Sequence, residues 1–140
     1  MAANRGASAL EWALAQVGDR WSLLIVHALL GGAKRFGELS EALAGIAPNI
    51  LSQRLKHLER AGIVVSEPYS SRPARFAYDL TASGRELAGA LHLLAQWGSG
   101  RSEGEGVQHE ACGTAMEPRW WCPTCERAVD DAEDDELRFV

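Results

Sequence analysis

Apolar positions at helical spacing dominate the first two thirds of the chain. A helix is predicted over Ala7 to Val17, stopped by Gly18, after about six small, polar and frayed residues. Asp19 is placed to cap the next helix, where Trp21, Leu24, Ile25, Ala28 and Leu29 recur at helical spacing and mark a core face. Gly31-Gly32 ends it. A short helix from Phe36 to Ala44 turns Phe36, Leu39 and Leu43 inward. After the connection Gly45-Ile46-Ala47, Pro48 suits the first turn of a helix running to about Ala61, with Gly62 as its stop. Two helices joined by a three-residue turn containing glycine make a helix-turn-helix candidate.

The period then changes. Ile63 to Glu67 reads as a strand, and Phe76, Tyr78 and Leu80 alternate with Arg75, Ala77 and Asp79 in a second. Between them Pro68 to Pro73 reads as a hairpin loop too long for a tight turn. Thr81 is placed to cap a final helix reaching Trp97. The expected fold is mainly α (α+β): a winged helix-turn-helix with a two-stranded wing over residues 1–98. A Gly/Ser/Glu-rich linker is expected over 99–108, a small unit over 109–130 and an acidic tail over 131–140.

The helix after the turn has two faces. Leu51, Leu55 and Leu58 fall at i, i+4, i+7 and bury one stripe. Asn49, Ser52, Gln53 and Lys56 form another, of the side-chain types that read base edges: Asn and Gln pair with adenine, Lys with guanine. Any surface helix has a polar face, so position decides. This face follows a helix-turn-helix turn and precedes a loop carrying Arg72 and Arg75, a geometry in which a helix enters the major groove and a basic wing lies over the backbone. Arg54 and His57 flank the apolar stripe within reach of phosphate or base. Lys34, Arg35 and Pro48 complete the candidate DNA-binding set. His27 and His92 lie in apolar stretches and are expected to pack.

A net charge of −5 looks wrong for such a partner. Its distribution reverses that impression. Residues 1–100 hold ten Lys/Arg against eight Asp/Glu, giving +2, and residues 101–140 hold four against eleven, giving −7. The longest apolar run, Trp21 to Leu30, is too short to cross a bilayer, and no charged-then-apolar signal opens the chain, so a cytoplasmic protein is expected. No nucleophile–base arrangement, Gly-rich phosphate loop or paired carboxylate site suggests an enzyme.

Five blocks carry a family resemblance: Gly18-Asp19-Arg20-Trp21-Ser22-Leu23-Leu24-Ile25, Arg35-Phe36-Gly37-Glu38-Leu39, Ile50-Leu51-Ser52-Gln53-Arg54-Leu55, Leu58-Glu59-Arg60-Ala61-Gly62-Ile63-Val64 and Tyr78-Asp79-Leu80-Thr81-Ala82-Ser83-Gly84. In this order over residues 8 to 98 they resemble HxlR-type regulators, bacterial winged helix-turn-helix repressors or activators. The resemblance implies a DNA-binding homodimer on a pseudo-palindromic operator, with the first and last helices at the interface. The last helix supports this with two stripes, Leu87-Leu91-Leu94 and Ala90-Leu93-Trp97: one can cover its own domain and the other needs a partner. The candidate interface is Leu10, Leu14, Leu87, Ala90, Leu91, Leu94 and Trp97. Several relatives sense oxidants through a cysteine before the first helix, where this chain has Ser8, and a hydroxyl cannot do thiolate chemistry. An aromatic-lined cavity near the interface would suit a small-molecule effector, but no residue pattern specifies one.

All three cysteines lie between 112 and 125. His109-x2-Cys112 and Cys122-Pro123-Thr124-Cys125 offer four ligands in two short pairs, matching a closed, structural zinc site in a zinc-ribbon-like unit. Redox pairing of Cys122 with Cys125, or unliganded cysteines, are the alternatives. Two other functions stay open beside the operator-binding dimer: an adaptor working through the zinc unit, and a regulator responding to metal or redox state through the tail.

Overall fold

Ser8 begins the first helix in the computed structural model, which describes residues 8–129. Its hydroxyl accepts from Glu11 N at 3.2 Å while its own N–H donates to Glu11 Oε2 at 2.6 Å. This capping box satisfies donors that the first turn of α1 (Ala9–Val17) leaves unpaired. Asp19 starts α2 (Arg20–Leu30) in the same way, its carboxylate accepting from Ser22 N at 2.9 Å. The buried stripe of α2 is Ser22, Ile25, Val26 and Leu29. Leu24 and His27 lie about 150° around the helix from its centre at 100° per residue. Both are therefore exposed, which corrects the expected core face at Leu24 and the expected packing of His27.

Strand β1 (Lys34–Arg35) leads into α3 (Phe36–Ala42), which ends earlier than its pattern suggested. The connection to α4 (Pro48–Arg60) is thus Leu43 to Ala47, longer than three residues, because Leu43 and Ile46 leave the helix to enter the core. Pro48 occupies the first turn of α4, where its missing N–H costs nothing.

The wing comprises β2 (Val64–Ser71) and β3 (Ala74–Leu80), paired antiparallel from Val64↔Leu80 to Ser71↔Ala74. Pairing continues beyond Pro68 through an irregularity between Pro68 and Ser70. The long loop expected over 68–73 is therefore only Arg72-Pro73. Pro68 is tolerated within β2 because β2 is an edge strand, in the order β1-β3-β2. The sheet has three strands rather than two: β1 adds Lys34↔Tyr78 and Arg35↔Ala77, too short a stretch to show alternation.

Thr81 caps the next helix but also binds the wing's base to the end of α4. Its Oγ1 accepts from Gly84 N at 3.1 Å and donates to Gly62 O at 2.6 Å. Gly84 is pressed so closely on this turn that a Cβ there would lie 2.3 Å from Ile63 O. The single helix expected after Thr81 is broken into α5 (Ala82–Arg85) and α6 (Ala88–Ser99). At the break Leu87 N bonds Gly84 O, an i−3 contact that does not continue the α-helical ladder.

The core of this part gathers Ile25, Leu29, Leu39, Leu51, Leu55 and Leu58, all essentially inaccessible. Leu91 joins it, so this candidate interface residue packs within its own protomer.

A second compact unit begins at His92. His92 is exposed, against the expectation that it packs. Within this unit Gln96 Oε1 accepts from Val107 N at 3.0 Å, so the stretch read as a linker is held at one point. Beyond it β4 (Trp120–Cys122) and β5 (Arg127–Val129) form an antiparallel pair. The first residues and the acidic tail lie outside the described residues. Among those described, no helix is long and apolar enough to cross a membrane.

Candidate nucleic-acid interface

Three leucines hold α4 in the core, and their burial decides what its other side presents. Leu51, Leu55 and Leu58 are 0–1% exposed. Diametrically opposite, Asn49, Gln53, Lys56 and Arg60 are exposed at i, i+4, i+7 and i+11. Arg60 was not among the sequence-derived candidates, although its helical spacing places it on the stripe. Ser52 is half-buried and turned toward the wing, where it lines a small recess with Lys56, Glu59, Ser66, Phe76 and Tyr78. Burial, then the charge of Glu59, push the Tyr78 phenol up, which keeps it a hydrogen-bond donor.

Arg54 and His57 face the other flank. Arg54 Nη1 lies 3.6 Å from Asp19 Oδ2, and His57 Nε2 is 2.7 Å from Gln16 O. The two side chains thus brace α4 against the start of α2 and the end of α1, away from the exposed stripe. Burial pushes the Asp19 carboxyl up, but hydrogen bonding from Ser22, the charge of Arg54 and the Trp21 N–H outweigh it. The carboxyl is held below the usual value of 3.8.

The wing supplies further positive charge. Arg72 sits in the hairpin turn and Arg75 near the start of β3, both exposed. The guanidinium of Arg35 stacks on the ring of Tyr69, 4.2 Å from its centroid. Arg35, Tyr69 and Arg75 line an open groove of ≈ 630 Å³ with Glu38 and Glu41 on its helical side. Lys34 is half-buried in β1, whereas Pro48 is exposed at the tip of α4. The structure therefore brings Asn49, Gln53 and Lys56 together, places Arg35, Arg72 and Arg75 on the wing side, and engages Arg54 and His57 elsewhere.

A second recess, ≈ 310 Å³, lies among Trp12, Gln16, Val17, Ile63, Ser83, Glu86 and Leu87. Trp12 is the single aromatic residue lining it.

The candidate metal ligands form two local pairs. His109 Nδ1 is 3.3 Å from Cys112 Sγ, and Cys122 and Cys125 share a turn after β4. None of the three cysteines is in a disulfide. Hydrogen bonding from Thr114 holds Cys112 below the usual thiol range, and N–H and thiol contacts from Cys125 do so for Cys122. Among the described residues no three His, Cys, Asp or Glu side chains gather as one metal site.

The pattern of the HxlR-like helix-turn-helix family matches residues 16–105. The chain is 42% identical over 122 residues to the uncharacterized HTH-type transcriptional regulator Rv3095 of Mycobacterium tuberculosis, covering 84% of this chain and 77% of that one. Among solved structures, the redox regulator HypR in its reduced form superposes with a TM-score of 0.64 at 31% identity, covering 67% of this chain and 93% of that one. The reduced form of the transcriptional regulator YodB from Bacillus subtilis gives 0.60 at 32% identity, covering 71% and 99%.

Proposed function

Because the chain belongs to the HxlR-like helix-turn-helix family and is a transcriptional regulator of that type, we propose that it acts as a homodimer on a pseudo-palindromic stretch of double-stranded DNA. One observation carries this reading: the exposed stripe Asn49, Gln53, Lys56 and Arg60 on a helix anchored by three buried leucines. In the major groove, Asn49 and Gln53 present bidentate amides to adenine and Lys56 a donor to guanine. Arg60, Arg72 and Arg75 meet phosphates on either side and set the register. Arg54 and His57 act indirectly, by holding the helix at its angle.

Exposed apolar side chains support the dimer. On α1, Leu10, Trp12 and Leu14 are 53–67% exposed, and on α6 Leu94 and Trp97 are 53% and 63% exposed. Ala90 is also exposed and Leu87 half-buried. Large apolar groups in such numbers call for a cover. A two-fold dimer supplies it and sets two copies of α4 about one DNA turn apart. Sedimentation equilibrium should give a dimer, converted to monomer by Leu94→Glu.

The deciding experiment is binding of the purified chain to fragments of its own genome, read by anisotropy across a salt series. Tight binding to particular fragments, steeply weakened by salt, is expected. Equal affinity for all fragments and random DNA would refute the proposal.

A further inference from the structure

We propose that His109, Cys112, Cys122 and Cys125 form one closed tetrahedral site for a zinc-class divalent cation, assembled from two knuckles of the same design. Each knuckle holds two ligand side chains separated by two residues. In each, the residue just after the second ligand has a left-handed backbone: Gly113 at φ 70° and Glu126 at φ 51°. Glycine adopts this conformation freely, but a glutamate there is uncommon. Among the described residues Glu126 is the single non-glycine in that region.

The flanking chains repeat the pattern. The first knuckle tips a short hairpin, with the bridge Gln108↔Ala115 and bonds from His109 N to Thr114 O at 2.9 Å and Met116 N to Val107 O at 2.8 Å. The second tips the β4–β5 pair, where Cys122 faces Arg127. In the first knuckle Cys112 N and Gly113 N both turn onto His109 O, at 3.2 and 2.7 Å. In the second, the turn between β4 and β5 carries the chain from Cys122 through Pro123 and Thr124 to Cys125.

Distance supports ligation within the first pair. Bonds of about 2.3 Å to sulfur and 2.0–2.1 Å to nitrogen, at a tetrahedral angle, place two ligand atoms about 3.6 Å apart. His109 Nδ1 and Cys112 Sγ are 3.3 Å apart, so this edge of the polyhedron is nearly formed. The second edge comes from Cys122 and Cys125. The two edges are not yet gathered into one cluster, and the ion supplies the attraction that closes them. Each thiol releases its proton to solvent as its metal–sulfur bond forms.

The unit also needs a staple. No residue from 92 to 129 is fully buried, and Met116, Trp120 and Trp121 are 47–64% exposed. Hairpins with so little apolar burial do not hold their shape unaided. Three thiolates and an imidazole favour zinc over magnesium or calcium, and four protein ligands leave no open position for catalysis.

The test uses the full chain, purified under reducing conditions without a histidine tag or chelator. Elemental analysis should find one zinc per chain. Chelator-stripped protein given Co²⁺ should develop the visible bands of a tetrahedral thiolate site. Cys112→Ser, Cys122→Ser and Cys125→Ser should each lose metal or bind it at least tenfold more weakly, and His109→Ala should alter the Co²⁺ spectrum. Helical circular dichroism shows that the first unit of each variant stays folded. Absence of zinc together with failure to take up Co²⁺ would overturn the proposal. So would full metal retention in the Cys122→Ser/Cys125→Ser double variant, or a Cys122–Cys125 disulfide in the reduced preparation.

Discussion

Replacing Gln53 by alanine isolates base reading from folding. Gln53 lies on the side of α4 opposite Leu51, Leu55 and Leu58 and is exposed. Truncating such a side chain should change stability by no more than about 0.5 kcal/mol. A bidentate amide–adenine pair contributes roughly 1–3 kcal/mol of discrimination. A dimer with one Gln53 in each half-site should then lose about 2–6 kcal/mol on its operator, between roughly thirtyfold and twenty-thousandfold in affinity. Binding to random DNA should barely change, because that term comes from phosphates. The assay is anisotropy on operator and scrambled duplexes at one salt concentration, beside a thermal melt of the free protein. Equal losses on both duplexes would refute base reading by Gln53, and a lowered melting temperature would show that the side chain supports the fold instead.

Other substitutions test neighbouring parts of the same geometry. Arg60→Ala should weaken operator and scrambled DNA alike and reduce the salt slope by about 0.9 per protomer, read from log–log salt plots. Leu55→Ala empties a site only 1% exposed and should cost about 2–5 kcal/mol in a urea titration. Gly84→Ala drives a Cβ to 2.3 Å from Ile63 O, so a loss of roughly 1–3 kcal/mol is expected from the same measurement. Asp19→Ala removes the cap of α2 and should cost about 1 kcal/mol at neutral pH. The Asp19 carboxyl titrates below 3.8 when folded. Its contribution is therefore complete above that value and lost as the pH falls through the folded pKa, so the wild type and Asp19→Ala should converge in stability in acid.

The helical parts could be read from the sequence because strong local signals agree there. Asp19, Pro48 and Thr81 cap or start helices where their chemistry indicated, and the leucines of α4 fall on the predicted stripe. The misreadings arose where tertiary partners decide. Leu24 fits an apolar repeat, but the packing stripe of α2 is centred on Ile25 and Leu29. The wing's length depends on β2 remaining paired past Pro68, which no local signal announces. Arg54 and His57 look like free polar residues until Asp19 and Gln16 are brought beside them, 35 and 41 positions earlier in the chain. Arg60 could have been found by extending the helical spacing one step beyond Lys56.

Ser8 decides where an oxidant response could reside. In the family resemblance this is the position at which several relatives place a sensing cysteine. Here its hydroxyl accepts from Glu11 N and its backbone N–H meets the Glu11 carboxylate, so the residue has a structural task at the start of α1. A thiol is a weak substitute in that box, since sulfur is a poor hydrogen-bond acceptor. Thiol oxidation in this chain is thereby confined to Cys112, Cys122 and Cys125. If those thiols are committed to an ion, oxidising two of them to a disulfide removes two ligands and releases the metal. Metal release and loss of thiols should then rise together on titration with diamide, whereas thiol loss with the metal retained would separate the cysteines from the site.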